Sequence, residues 1–155
     1  MPNFATGAMP VILVDQNGNE KTGFPPGATV TVSGTVTANQ GTATNATPST
    51  TNSAATTNAT SVKTSSGNVY SIAVSNVNAS ARFLKLYNKA SAPTVGTDVP
   101  VLVIPIPASG VVNLNFGSYG LRFTTGIAFA ITGAAADTDT TAIGASDVKV
   151  CIAYL

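Results

Sequence analysis

The sequence predicts an all-β fold: an antiparallel β-sandwich, jelly-roll-like, with an extended N-terminal arm. Three observations lead there. Apolar and polar residues alternate with period two in several runs between residues 65 and 155, the pattern of half-buried strands. Gly, Pro, Asn and Ser interrupt these runs at short intervals, as the turns of a sandwich require. No segment shows an apolar period of 3.6 residues, so no long helix is expected.

Residues 1–27 read as the arm. Val11, Ile12, Leu13 and Val14 form its one apolar cluster, followed by Asn17-Gly18, a pair that tolerates positive φ and marks a turn. One strand or a hairpin fits here, with too little apolar surface to fold alone. Residues 28–64 open with a Thr/Val alternation over 29–37 that predicts a strand, interrupted by Gly34. From 38 to 61 no side chain is larger than Thr, Asn or Gln and none is charged. Such a stretch buries too little apolar area to offset the entropy of ordering it. It is expected as a low-complexity linker held by a neighbouring subunit.

Residues 65–155 form the sandwich. A strand over 68–76 alternates Tyr70, Ile72 and Val74 against Ser71, Ala73 and Ser75. One over 81–89 sets Leu84 and Leu86 against Phe83, Lys85 and Tyr87. The run 99–107 is continuously apolar but contains Pro100, Pro105 and Pro107. Proline has no N–H for a ladder, so this strand belongs at an edge or a bend. Short strands follow over 111–116 and 121–123. Then 127–132 sets Ile127, Phe129 and Ile131 against Ala128 and Ala130, and 147–155 aligns Val148, Val150, Ile152 and Tyr154. Tight connections are expected at 75–80 and 108–110, and the longest loop at 133–146.

Composition narrows the function. The chain has 155 residues, no His, no Trp and one Cys, and its Lys+Arg 7 against Asp+Glu 6 leave a net charge of +1. No Ser-His-Asp triad, His-ligated zinc or histidine switch is available, nor an intrachain disulfide or Cys₄ site. Nucleic-acid binding needs a clustered basic face, which this balance does not supply. No apolar run approaches the roughly 18 residues of a membrane span. The opening residues lack a basic segment before an apolar one, so no secretory signal is expected. Charged residues are 8% of the chain, against roughly 25% in ordinary domains. Little repulsion then keeps copies apart, and a life within an assembly is expected.

Few residues suggest chemistry. Asp137 and Asp139 stand at alternate positions, as calcium loops require, but no third acid or turn glycine follows in register. As a glycosidase pair they lack a carboxyl-raising pocket and a Trp platform. Ser146 and Lys149 share the Ser-x-x-Lys spacing, yet residues three apart on a strand face opposite sides. Cys151 reads as a small strand residue. Asn45, Asn58 and Asn78 fall in Asn-x-Ser/Thr triplets, which chance explains in a Thr-rich chain. No glycine-rich phosphate loop occurs, and neither cofactor nor metal is expected.

Surface residues are the better candidates. Phe83, Lys85, Tyr87 and Lys89 share one strand face, suited to an acidic partner surface, a neighbouring subunit or a glycan, or simply to solvent. Leu102, Ile104 and Ile106 lie in the apolar edge run, which is an aggregation hazard unless the arm or another subunit covers it.

The residues Ala81-Arg82-Phe83-Leu84-Lys85-Leu86-Tyr87-Asn88-Lys89-Ala90, then Ala92-Pro93-Thr94-Val95-Gly96-Thr97-Asp98 and Pro100-Val101-Leu102-Val103-Ile104-Pro105-Ile106-Pro107, with Gly120-Leu121-Arg122-Phe123 and Gly126-Ile127-Ala128-Phe129, resemble small virion structural proteins of tailed bacteriophages and prophages, the capsid decoration or cement proteins. Met9-Pro10-Val11-Ile12-Leu13-Val14-Asp15 with Asn17-Gly18 looks like phage structural openings. The resemblance covers residues 65–155 well, the arm loosely and the Thr/Ala/Asn tract not at all. It is a signature of packing rather than of chemistry. It implies a β-sandwich that oligomerises on a virion surface, often as a trimer, with the major capsid protein or another virion protein as partner. The expected function is therefore non-enzymatic: a decoration protein whose arm, through Val11 to Val14, docks on the shell. The alternatives are a tail, baseplate or fibre-tip protein, and a carbohydrate-binding module.

Overall fold

The computed structural model describes residues 46–155. The expected arm with Val11, Ile12, Leu13 and Val14, the strand over 29–37 and Asn45 lie outside the described residues. Within them the chain forms β1 (Thr47–Asn52), β2 (Thr60–Lys63), β3 (Gly67–Asn76), β4 (Arg82–Asn88), β5 (Leu102–Ile106), β6 (Val111–Asn115), β7 (Leu121–Phe123), β8 (Ile127–Thr132) and β9 (Val148–Tyr154). No helix occurs among the described residues.

Two antiparallel sheets result. One has five strands, in the order β1-β9-β3-β6 with β7 also on β3, and the other has four, in the order β2-β8-β4-β5. At ten residues, β3 is long enough to hold two partners end to end. β7 pairs with Gly67 to Val69, and β6 with Ser71 to Ser75. Between them the chain loops outward, where Asn115 Oδ1 accepts from Gly117 N at 2.8 Å. Gly117 and Gly120 take φ of 70° and 66° there, a region open to glycine without steric penalty.

The facing sides of the sheets share one core. The five-stranded sheet contributes Ile72, Val74, Val150 and Ile152 among others; the four-stranded sheet contributes Leu84, Leu86, Ile104, Ile106, Ile127, Phe129 and Ile131. The alternations expected for β4, β8 and β9 therefore hold on their core sides. In β3 the phase slips. Its pairing with β9 shifts between Val69 and Ser71, so Val69 enters the core and Tyr70, expected there, is only half-buried. Strand β5 lies at a sheet edge, where Pro105 is tolerated.

The tract expected as linker needs correction from Thr47 onward, because β1 and β2 belong to the two sheets. An edge strand needs no core of its own: β9 supplies its ladder through the register Thr47↔Tyr154 to Asn52↔Lys149. The crossing to β2 is tied by its own amides and hydroxyls. Ser53 Oγ donates to Gly144 O at 2.9 Å and accepts from Val148 N at 3.0 Å. Asn58, at φ 53°, accepts from Ala54 N at 2.7 Å and donates to Ala54 O and Thr56 O at 3.1 and 2.9 Å. Order in this tract comes from within the chain, since short polar side chains build turns efficiently.

Truncating Phe129, buried in the core, to alanine is expected to remove about 3–5 kcal/mol of stability. Thr50→Ala, on the exposed side of β1, stays within about 0.5 kcal/mol. Urea titration of both variants measures the contrast, and equal losses would contradict the assigned core.

Candidate docking surfaces

Strand β4 sends Phe83, Lys85 and Tyr87 away from the core, as its alternation predicts. That side is not a solvent face, because the β8–β9 connection lies over it. Lys85 is fully buried, at 0% exposure. Its Nζ donates to Ala136 O at 2.5 Å and Asp139 O at 3.4 Å. A buried ammonium must be solvated by protein oxygens, and these loop carbonyls do so. Asp139 fastens the loop in turn, accepting from Ala134 N at 3.0 Å and Thr141 Oγ1 at 2.7 Å. Burial pushes the Asp139 carboxyl up, but these hydrogen bonds outweigh it and hold it below the ordinary value.

Tyr87 is also buried, packed with Ala128, Ala130 and Val95. Its hydroxyl has no hydrogen-bond partner among the described residues. Burial, then the negative charges of Asp137 and Asp98, raise its pKa above 10.0. Lys89 is ion-paired with Asp98. That hydrogen bond, helped by Thr94 N, holds the Asp98 carboxyl low. The expected patch is thus corrected: Lys85 and Tyr87 fasten and fill the interior, Lys89 is paired, and Phe83 keeps partial exposure.

The edge run 99–107 also divides. Ile104 and Ile106 point into the core, and Leu102 packs against it half-buried, so Ile104 and Ile106 are corrected from surface to core. Their neighbours point outward: Val99 is 74% exposed and Val101 56%, and Pro105 is exposed beside half-buried Val103 and Phe83. Val99, Val101 and Pro105 therefore form an uncharged apolar strip on β5 and the residues leading into it. The signal was the same period-two rule applied within the run, which the unbroken apolar sequence concealed.

A second surface lies on the outer side of the five-stranded sheet. Ala73, Val74, Ser75, Val111, Lys149 and Cys151 line a shallow groove of about 240 Å³. Val111 is 63% exposed, and Val77, just past the end of β3, 73%. Sequence reasoning read β3, β6 and β9 as strands but could not place them side by side, so this groove was missed.

The residues singled out for chemistry have structural positions. No three or more His, Cys, Asp or Glu side chains gather among the described residues to hold a metal. Asp137 is exposed, Asp139 stitches its loop, and Ser146 sits in the turn before β9 at φ 60°. Asn58 is buried, and Asn78 Oδ1 accepts from Ser80 N at 2.9 Å in a turn. Asp147 joins Arg82 across 3.0 Å, with both side chains 15% exposed. The Arg82 guanidinium, with Gly144 N, holds the Asp147 carboxyl below its usual range.

Replacing Lys85 by methionine preserves its stem but removes its hydrogen bonds to Ala136 O and Asp139 O, leaving Ala136 O with Asp139 N alone. A hydrogen bond to a charged group contributes about 1.5–3 kcal/mol. Faster hydrogen exchange at Ala134 and Asp139, with the core amides little changed, is the expected readout; unaltered exchange would refute the fastening. Acid should unfold the protein through Asp98, Asp139 and Asp147, all lowered from 3.8. Their contribution is complete above that value and disappears as pH falls through the depressed folded values. With no histidine, melting temperature should vary little from about pH 5 to 8 and drop below about pH 4. Asp147→Asn should flatten that acid limb in a melting series.

Compared with protein-family models, curated proteins and solved structures, the chain matches none of them.

Proposed function

We propose that this chain is a non-enzymatic structural protein of a bacteriophage virion, a capsid decoration or cement protein with a jelly-roll body. The strip of Val99, Val101 and Pro105 carries the reading. An apolar surface along an edge strand is an association hazard in a free protein and an asset in a docked one. The near-absence of net charge removes the repulsion that would oppose close packing. The segments that resemble phage decoration proteins include β4, β5 and the residues leading into β5, so they take in both the buried face and the strip. The strand orders β1-β9-β3-β6 and β2-β8-β4-β5 support the jelly roll, since they are the interleaved order of two Greek keys.

In this reading the partner is the major capsid protein or another virion protein, and the body self-associates, with a trimer favoured. The arm, through Val11 to Val14, adds contacts across neighbouring subunits. Such contacts stabilise a shell by mass action because they form only on the assembled state.

A Val99→Asp/Val101→Asp double variant should fold normally, because both side chains are exposed. It is expected to lose most of its co-sedimentation with purified capsids, and deletion of residues 1–27 should lower occupancy as well. Undiminished binding by both variants would defeat the proposal. Density on the tail of the particle instead of the shell would replace the cement role by a tail one.

A further inference from the structure

We propose that β1 is an exchangeable strand, able to leave β9 of its own chain and pair with β9 of a second copy. Four features of the fold lead there. Among the described residues the strand lies at a sheet edge with β9 as its neighbour. It contributes nothing to the core: Ser49 and Thr51, opposite Ile152 and Val150, are half-buried, while Pro48, Thr50 and Asn52 are exposed. Backbone pairing is what holds it, and no buried side chain must be withdrawn for it to leave. None of its residues is charged, so two copies can approach through it without repulsion.

The residue that follows behaves differently. Ser53 N donates to Val148 O at 2.8 Å, and Ser53 O accepts from Ser146 N at 2.7 Å. Its Oγ bridges Gly144 O and Val148 N. The chain is therefore pinned at Ser53 and lightly held just before it, which makes the bond between them a pivot. Swinging β1 out withdraws no side chain from the core but bares the backbone row of β9 and opens the rim of the core at Val150 and Ile152. That vacancy has one ideal occupant. The β1 of a second copy restores every hydrogen bond in the same register, so the swapped and unswapped contacts are identical. Their balance is set by protein concentration against the effective concentration of the chain's own strand. The exchange needs no capsid and stands or falls independently of the virion reading.

The register supplies its own probe. Thr50 lies directly opposite Cys151. Antiparallel partners have Cα atoms about 4.5–5.5 Å apart, within the about 4.4–6.8 Å range of disulfides. Thr50→Cys chains, isotopically heavy and light, are mixed, refolded together across a concentration series and oxidised. The parent and a Thr50→Cys/Cys151→Ser variant are treated alike, to identify bridges between two copies of Cys151 and between two copies of position 50 respectively. Exchange predicts covalent dimers on non-reducing gels and linked peptides pairing position 50 with Cys151. About half of those peptides should join a heavy to a light chain at the highest concentration. Linkage confined to heavy–heavy and light–light peptides throughout overturns the proposal, as does failure of the two thiols to link. Light scattering on the parent adds a measurement free of mutation: mass rising with concentration is expected, and a monomer throughout the series also overturns it.

Discussion

Strand β8 is dry on both sides, and the arrangement of the four-stranded sheet follows from that. Its Ile127, Phe129 and Ile131 enter the core between the sheets, while Ala128, Ala130 and Thr132 are buried on the opposite side. A strand sealed in this way leaves its polar neighbours to find partners within the protein, and the Tyr87 hydroxyl is left without one among the described residues. Thr132 Oγ1 bonds to Ala134 O at 2.9 Å, and Lys85 reaches the loop carbonyls. Size matters as much as polarity. Lys85 lies across from Ala130, and Tyr87 across from Ala128. Long side chains face short ones, which lets the layer close at the density of a protein interior.

The scarcity of charge acquires a physical meaning from this interior. Arg82 and Asp147 pair at a sandwich end, Lys89 and Asp98 pair beside Tyr87, and Lys85 and Asp139 fasten the long loop. Many of the few ionic groups are thus engaged in holding loops to the body. What remains outside is largely Thr, Ser, Asn, Ala and exposed valine. Buried or half-buried pairs fix geometry more than they stabilise, since desolvation offsets much of their attraction. A surface left so neutral keeps copies and partners apart only weakly, which links internal fastening to the proposed life in an assembly.

Two kinds of strand coexist in this body. Strands such as β8 and β9 are held by side chains and ladders together, whereas β1 is held by its ladder. Their stabilities need not be equal, because proteins open locally where few apolar contacts resist. The low-complexity composition that makes β1 poor at building a core also makes it easy to attach and detach. Composition that looks featureless therefore has a consequence for assembly.

Period-two alternation was enough to reveal the all-β class and the strands β3, β4, β8 and β9, because it records which side of a strand meets apolar neighbours, while the prolines of the unbroken apolar run pointed β5 to an edge or a bend. Composition alone removed histidine chemistry and disulfides. Which outward face stays wet was decided by the tertiary structure, since Lys85 and Tyr87 have the alternation of solvent residues, yet Lys85 is covered by a loop distant in sequence and Tyr87 is packed against Val95 and the alanines of β8. The same holds for the order in Thr47 to Lys63, which depends on β8 and β9, and for the groove joining Val111 to Cys151. Alternation describes a strand by itself; burial and pairing belong to the segments packed against it, and those meet only when the chain has folded.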